Sequence, residues 1–197
     1  SKIVEKYTTS NRQVLWLVDQ EELLDQAAMT FAEYGIEHCL VCSASTERAI
    51  KAHQFLEFER SFVKPGAMAV IASVQTLVRR IDGPEWHKDW AMAWLNPAQI
   101  IPDECDLSLA VTWRRVIGYW PKARLLGLTA TPIRMDRQSF ARSEGGLYDV
   151  MVKGPDEAWL IDNRHLAQYD AYHPDVELVQ GVADMTKREG DDYDPAE

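Results

Sequence analysis

The sequence has few cysteines, no signal-like opening and no long apolar run, and each absence excludes a class of protein. Cysteine accounts for 3 of its 197 residues, too few for a disulfide-stabilised scaffold. An odd number of cysteines without a secretory signal indicates a reducing compartment, so we expect a cytoplasmic protein. No stretch approaches the roughly 18 consecutive apolar residues of a spanning helix, and we therefore expect no membrane association.

Basic charge is also scarce. Lysine and arginine total 21 against 31 aspartates and glutamates, which gives a formal net charge of −10. This balance argues against a generic nucleic-acid coat, which carries a basic face. It leaves open a motor that holds a backbone through main-chain NH groups and a few hydroxyls. Hydrophobic residues make up 46% of the chain, which is the composition of an ordinary globular domain.

Cys39 and Cys42 form a CxxC pair, which raises the alternative of a redox or zinc protein. The pair lies in His38–Cys42, an apolar run typical of a strand. Side chains three apart on a strand point to opposite faces, and no second CxxC completes a four-ligand zinc site. We therefore expect two reduced, buried thiols without a metal, and hold the redox or metal protein as a third hypothesis.

Short apolar runs alternate with helical patterns along most of the chain. Helical spacing predicts helices over Glu21–Tyr34, Thr46–Phe62 and Leu109–Trp120, and Asp19 with Glu22 forms a capping-box pattern before the first of them. The alternation predicts an α/β domain whose parallel sheet is covered on both faces. The predicted strands are Gln13–Val18, His38–Cys42, Met68–Ala72, Gln99–Asp103 and Arg124–Thr129.

Two segments depart from this alternation. The stretch Ile81–Pro97 is rich in tryptophan, and we expect a surface helix whose rings pack rather than stack on bases. After the last predicted strand, Pro155–Asn163 favours a short helix and Leu166–Tyr172 a strand. From Pro174 onward the chain is polar and acidic, which is typical of a linker or tail.

The feature with the clearest chemistry is the pair Asp103-Glu104 at the end of an apolar strand. Ligands bind outside the carboxyl ends of parallel strands. There one carboxylate can hold Mg²⁺, usually through water, and the other can polarise an attacking water. Taken alone the pair indicates little, because acidic pairs at strand ends are common and usually only solvated.

A second apolar strand ends in Thr129-Ala130-Thr131-Pro132. Two hydroxyls at the neighbouring strand end can sense the state of the carboxylates. The competing interpretation is an ordinary strand-to-loop turn that the proline ends, and it gives no reason for two threonines.

Together, the segment around Asp103-Glu104 and the segment that ends in Thr129–Pro132 resemble motifs II and III of the superfamily 2 DExD/H helicases. Leu15–Gln26 resembles their motif Ia, and Val70–Leu77 resembles the next nucleic-acid-contacting motif. All four occur in the family's order and spacing. The sequence segments around Trp113 and Arg134 are most similar to those of bacterial and phage DEAH-like helicases, which are related to the motor subunits of restriction enzymes.

The resemblance implies the first domain of a two-domain, ATP- and Mg²⁺-dependent helicase or translocase. Residues 1–173 would form a RecA-like three-layer domain, and 174–197 would lead toward a second RecA-like domain. Asp103 would hold Mg²⁺ through water, Glu104 would activate the attacking water, and Asp106 would link the ATP site to the second domain. The coupling residues would be Thr129 and Thr131, and the residues bonding DNA or RNA backbone phosphates, without reading bases, would be Ser73, Gln75 and Thr76.

Several departures from the family pattern matter for activity. No GxxxxGK[ST] phosphate-binding loop occurs, and the chain opens with what resembles the helix that follows that loop. Asp19-Gln20 stands where this branch usually has His-Arg, and Asp106 stands where its DEAH relatives have histidine. Pro102 lies in the expected central strand, where we predict a local distortion. We therefore expect a fragment that is inactive alone, or alternatively a degenerate RecA-like binding and scaffolding module.

Overall fold

The computed structural model describes residues 2–84, 94–131 and 139–169, together with 188–189 and 192–193. The chain divides into two compact units, Ser1–Met151 and Val152–Glu197. The predicted domain boundary after residue 173 lies outside the described residues and stays a prediction. Within the described residues, no helix combines the length and apolar character needed to cross a bilayer.

The first unit is built on a five-stranded, all-parallel sheet in the order β2-β3-β1-β4-β5. This confirms the predicted α/β class with a parallel sheet. The first four strands begin and end within one residue of their predicted bounds, and the last strand is shorter than predicted. The strands are β1 Val14–Val18, β2 His38–Val41, β3 Ala69–Ser73, β4 Gln99–Pro102 and β5 Arg124–Leu125.

Helices lie between the strands, and the first of them matches the helix that the resemblance placed at the start. One helix, α4, was not predicted. A 3₁₀ turn, Cys105–Leu109, connects β4 to the last helix of the unit. The helices are α1 Lys2–Thr9, α2 Glu21–Glu33, α3 Ala44–Phe58, α4 Val74–Asp82 and α5 Val111–Gly118.

Alternation along β1 shows how both faces of the sheet are covered. Leu15 and Leu17 pack with α4 and α5 on one face, while Val14 and Val18 pack with α1, α2 and α3 on the other. All four side chains are at most 1% exposed. Burying a side chain of this size contributes about 1.5–3 kcal/mol, so a central strand apolar on both faces is stable only between two helical layers.

The first predicted helix boundary needs a correction. The N-cap of α2 is Gln20, which makes no side-chain capping bond, so the predicted capping box of Asp19 and Glu22 is wrong. The Asp19 carboxylate instead accepts a hydrogen bond from Gln75 Nε2. Asp19 therefore bonds to the distant residue Gln75 rather than to the backbone at the start of α2.

The boundaries of α3 follow from its caps. Ser43 Oγ accepts from Thr46 N at 3.1 Å and starts the helix. The helix ends where Glu59 adopts a left-handed conformation, with φ of 59°, and its NH donates to Phe55 O. The predicted helix Thr46–Phe62 is thus correct in kind and displaced toward the N-terminus.

Pro102 explains why β5 is shorter than predicted. Its register with Leu17 in β1 is regular, so that side of the strand is undisturbed. On the other side, Leu126 N donates to Ile100 O and Leu128 N to Pro102 O, both at 3.0 Å. Proline has no NH to return the bond, and regular pairing of β5 stops at Leu125. The predicted distortion at Pro102 is confirmed on this side.

The second unit contains a short helix, α6, Glu157–Asp162, as predicted. Asp156 Oδ1 caps it by accepting from Trp159 N at 2.8 Å. The predicted strand Leu166–Tyr172 is wrong over residues 166–169, which are not extended in a sheet, and its remainder lies outside the described residues. A short antiparallel pair joins β6 Arg188–Glu189 to β7 Asp192–Tyr193, and the rest of the predicted tail lies outside the described residues.

The predicted tryptophan-rich surface helix falls largely on residues 85–93, which the structure does not describe. Trp94 follows them and is half-buried against the α4–α5 layer of the core. Its contribution is therefore packing, as the sequence indicated.

Candidate functional site

The candidate residues lie at the carboxyl ends of three strands, β3, β4 and the β5 segment, with β1 between β3 and β4 in the sheet. The register aligns Leu17 of β1 with Pro102 of β4, and Val18 with Ser73 of β3. Asp103 continues beyond β4 and its NH donates to Leu17 O at 2.9 Å. Parallel strands all end at the same edge, so Ser73, the acidic pair and the threonines of the β5 segment lie along one carboxyl edge of the sheet.

The acidic loop after β4 presents two free carboxylates. Asp103 is half-buried and Glu104 is exposed. In the part of the chain that the structure describes, neither side chain accepts a hydrogen bond or forms an ion pair. Their oxygens are therefore open to a ligand from solvent.

Glu104 has an unusual backbone conformation. Its φ of 52° and ψ of 59° place it in the left-handed region, which costs a residue with a Cβ about 1–3 kcal/mol. Two bonds hold it there: Cys105 N donates to Leu128 O at 2.8 Å, and Leu107 N donates to Glu104 O at 3.0 Å. The surrounding structure thus fixes the backbone at Glu104 and the direction in which its side chain leaves the loop.

A cluster formed by Cys105, Ser108, Gly127 and Tyr148 packs against this loop and supports it. Ser108 Oγ donates to Cys105 O, and Tyr148 OH donates to Ser108 Oγ at 3.1 Å. A Cβ added at Gly127 would lie 2.6 Å from Tyr148 OH and 2.7 Å from Cys105 Sγ, so only glycine fits there. Burial raises the pKa of Tyr148 and of Cys105, so both stay protonated and uncharged at neutral pH.

Thr129 connects the acidic loop to the end of the β5 segment. Its Oγ1 lies 3.4 Å from Asp106 Oδ1 and 3.4 Å from Thr131 Oγ1. The same oxygen accepts from Thr131 N at 3.0 Å. The structure therefore brings the predicted coupling residues next to Asp106, through bonds at the long end of the hydrogen-bond range. Pro132 lies outside the described residues.

The predicted phosphate contacts at the end of β3 are already engaged. Ser73 is 7% exposed, and its Oγ donates to Gln75 Oε1 at 2.9 Å. Gln75 Nε2 donates in turn to Asp19 Oδ1 at 2.6 Å. Thr76 is half-buried. A phosphate contact at Ser73 requires its bond to Gln75 to open, and one made by the second NH of Gln75 Nε2 would lie next to the Asp19 carboxylate.

The carboxyl edge does not form a metal cage by itself. Within the described ranges, no group of three or more His, Cys, Asp or Glu side chains could hold a metal ion. Mg²⁺ prefers hard oxygen ligands and commonly takes one or two from the protein and the rest from phosphates and water. The two free carboxylates of Asp103 and Glu104 fit that pattern.

The two cysteines of the CxxC pair face apart, as predicted. Cys39 packs in the α4–α5 layer and Cys42 against the α1–α3 layer. Cys42 is half-buried rather than fully buried, which corrects the prediction. Burial raises both pKa values, and raises that of Cys42 to about 11 with a contribution from Glu47. Metal ligation and nucleophilic attack require a thiolate, and this environment disfavours it.

Several residues of the site were missed from the sequence. Asp19 was interpreted as a helix cap and as the loss of a basic contact, whereas it accepts the bond from Gln75. Gly127 carried a usable signal, because a glycine inside a strand marks a close approach. Tyr148 and Ser108 carried none, since they are separated by 40 positions and meet only in the folded chain.

Comparisons with known proteins agree with the motifs. A family model described as "Type III restriction enzyme, res subunit" matches residues 1–134. A 51.5 kDa protein of Lactococcus phage (isolate 7-9) is 25% identical over 179 residues, which cover 90% of this chain and 30% of that protein. The chain thus spans less than a third of the curated relative that it matches.

A similar solved structure is a nuclease-deletion mutant of the Type ISP restriction-modification enzyme LlaGI, in complex with a DNA substrate mimic. The alignment has a TM-score of 0.49 and 15% sequence identity, and covers 83% of this chain and 17% of the other. The family match over residues 1–134 covers most of the first unit, including β1 to β5 and the acidic loop. It confirms the resemblance to restriction-enzyme motor domains, and this chain belongs to the ResIII family, the type III restriction enzyme res subunits.

Proposed function

We propose that this chain carries the water-activating and coupling residues of an ATP-dependent nucleic-acid helicase or translocase, and that it is inactive alone. The observation behind the proposal is the arrangement at the carboxyl edge. Two unpaired carboxylates follow β4, and Asp106 in the same loop lies 3.4 Å from Thr129 at the end of the adjacent β5 segment. Solvated acids alone would not need a supported, strained loop.

In this proposal Glu104 orients and polarises the attacking water. Its exposed carboxylate accepts no bond from the described residues, so it can accept one from water. The left-handed backbone at Glu104 sets the direction in which its side chain leaves the loop, and positioning supplies much of the rate in phosphoryl transfer. Asp103, half-buried beside it, is the candidate ligand to Mg²⁺ through water.

ATP and Mg²⁺ belong to the intact protein. When bound, the ion neutralises charge on the phosphates. At the carboxyl edge, Asp103 and Glu104 offer the carboxylate side of such a site. The 197-residue sequence contains no GxxxxGK[ST], whose NH groups and lysine hold the β- and γ-phosphates. Without that loop the nucleotide is not positioned, which is the reason for proposing inactivity.

Thr129 and Thr131 are proposed to couple hydrolysis to strand movement. A change in the charge near Asp106 reaches Thr129 across the 3.4 Å contact and Thr131 through its NH. The proposed partners are a second RecA-like domain and a DNA or RNA backbone, bound without sequence reading. Ser73, Gln75 and Thr76 are the proposed backbone contacts, once the bond from Gln75 to Asp19 opens.

The test compares this chain with a longer protein that also holds its P-loop and second RecA-like domain. The chain alone should show no ATPase activity, and the longer protein should show activity stimulated by nucleic acid. In the longer protein, Glu104→Gln should keep ATP binding and abolish turnover, because it removes the charge and keeps the shape. Turnover by the isolated chain, or normal turnover by Glu104→Gln, would show the assigned roles to be wrong.

The alternative is a RecA-like module that binds or scaffolds without hydrolysis. The missing GxxxxGK[ST] favours it, because a chain without that loop can still bind partners but does not position the phosphates of ATP. The same experiment separates the two functions. A longer protein that binds nucleic acid but shows no ATPase under any nucleic-acid stimulation supports the module.

A further inference from the structure

A groove with three cations lies on the opposite edge of the sheet, where β1, β4 and β5 begin. We call it the amino-edge groove. Its volume is about 480 Å³, within the range of ligand sites. Its polar and aromatic lining comes from three separate connections: Arg12 before β1, Asn96 before β4, and Tyr119, Lys122 and Arg124 around the turn before β5.

The charge of this groove is opposite to that of the protein. The chain has a formal net charge of −10, yet none of the described residues that line the groove is acidic. Some other cations of the domain are paired with carboxylates, as Lys51 is with Glu47 and Lys64 with Glu37. Within the described residues, Lys122 and Arg124 form no ion pair. The groove is thus a local attractor for anions.

The walls of the groove are fixed by buried side chains. Gln13 is 8% exposed, and its amide donates to Trp94 O at 3.1 Å and accepts from Asn96 N at 2.6 Å. Trp120 Nε1 donates to Leu95 O at 3.0 Å. These bonds tie the loop before β4 to β1 and to the turn before β5. The cations are therefore carried by connections held in one arrangement.

An aromatic ring stands among the cations. Tyr119 is 44% exposed, and its ring lies edge-on against Trp120 with centroids 5.0 Å apart. Trp120 is 8% exposed, so the exposed ring has a rigid support. Grooves that bind single-stranded nucleic acid combine these two features, a cationic track for phosphates and aromatic rings on which bases stack.

We propose that the amino-edge groove binds a short single-stranded segment of nucleic acid. Arg124 and Lys122 contact its phosphates, and Tyr119 stacks on a base. The proposal rests on the nucleic-acid partner proposed above but not on ATP hydrolysis, because the groove lies at the other end of the strands from Asp103 and Glu104. An acidic peptide would use the cations but has no need of the ring, which is why nucleic acid is favoured.

The test measures binding of a fluorescent oligothymidylate, and of an oligouridylate, by anisotropy at several salt concentrations. Arg124→Glu should weaken binding about fivefold or more at low salt and lower the slope of log affinity against log salt by about 0.7 per lost phosphate contact. Tyr119→Ala should weaken binding about 5- to 150-fold, and Tyr119→Phe should retain it. Arg48→Glu on α3 is the matched charge control and should change affinity less than twofold.

Circular dichroism of each variant confirms folding, and Arg124→Gln repeats the test without charge reversal. Competition separates the sources of negative charge: inorganic polyphosphate should compete weakly and polyglutamate more weakly still. Equal binding by wild type, Arg124→Glu and Tyr119→Ala overturns the groove and leaves the translocase proposal standing. No binding at low salt, or displacement by polyglutamate with no effect of Tyr119→Ala, also overturns it. A lack of ATPase in the longer protein bears only on the translocase.

Discussion

Gln75 Nε2 donates a 2.6 Å hydrogen bond to Asp19 Oδ1 and so joins the segment after β3 to the segment after β1. Both residues lie at the edge where the family's phosphate contacts are expected. The bond holds the negative Asp19 carboxylate at a place where a nucleic-acid strand, itself negative, would need a neutral or positive group. We therefore expect the Asp19 carboxylate to weaken the proposed binding of nucleic acid at this edge.

Asp19→Asn should strengthen single-strand binding severalfold at low salt. Asparagine can still accept from Gln75, so the change removes charge without removing the bond. The gain should shrink as salt rises, because screening weakens exposed charge interactions. Anisotropy titrations at two salt concentrations measure it. Glu33→Gln, the same charge change at the other end of α2, is the control, and an equal gain there would make the effect one of net charge.

Thr129→Ala combined with Thr131→Ala should leave ATPase activity of the longer protein largely intact and abolish strand displacement. The hydroxyl of Thr129 contacts Asp106 and the NH of Thr131, and neither threonine touches the free carboxylates of Asp103 and Glu104. Parallel ATPase and strand-displacement assays decide it. A Thr129→Ser variant, which keeps the hydroxyl, should behave as wild type. If ATPase and displacement fall together, the threonines act in hydrolysis itself.

Gly127→Ala should destabilise the chain by about 1–3 kcal/mol, the usual cost of overpacking. The new Cβ would meet Cys105 and Tyr148 at 2.6 Å. Urea unfolding followed by circular dichroism measures the free energy of unfolding. Gly118→Ala at the end of α5 is the control, since its Cβ meets nothing within 4 Å, and it should be neutral or slightly stabilising. Equal stability of both variants would contradict the packing of Gly127.

Stability should fall as the pH drops below about 6.5, because of His38. The ring is fully buried, and burial lowers its pKa from the ordinary value of 6.5. Its Nδ1 lies 2.9 Å from Ile36 O and its Nε2 lies 3.1 Å from the Gln54 amide, so the neutral ring donates to the carbonyl and accepts from the amide.

The direction of the change in stability with pH follows from proton uptake by the unfolded chain. Below pH 6.5 the unfolded chain binds a proton at His38 that the folded chain does not, so the stabilisation present above pH 6.5 is lost as pH falls. The loss should be at most about 1.4 kcal/mol per pH unit. Urea unfolding from pH 7.5 to 5.5 measures it. His38→Gln should have a flatter dependence. An identical slope for His38→Gln would show that another group is responsible.

Most of the sheet could be predicted because its strands are continuous apolar runs. Ala69–Ser73 and Val14–Val18 are buried on both faces, and such strands need no periodicity to be recognised. Helix α4 was missed although Val74, Leu77, Val78 and Ile81 repeat at helical spacing. The segment Val70–Leu77 covers the first turn of α4. It was interpreted as a nucleic-acid-contacting motif, and the helical pattern that begins in it was not considered.

The candidate site could be predicted only where motifs carry it. The acidic pair and the two threonines stand in recognisable words, and parallel topology brings strand ends to one edge. The bond between Asp19 and Gln75 joins residues 56 positions apart, and the bond from Tyr148 that supports the acidic loop reaches Ser108 across 40 positions. Such pairs depend on register and loop geometry, which the spacing of residues along the chain does not determine.

The left-handed backbone at Glu104 has a consequence for how this domain can change. Glycine adopts that conformation without a steric penalty, so Glu104→Gly removes strain while it removes the carboxylate. Selection for thermal stability alone would therefore erode the acidic motif, and only selection for turnover would retain it. In this domain the residue proposed to activate water is kept at the expense of fold stability, a trade-off between stability and activity located at one backbone angle.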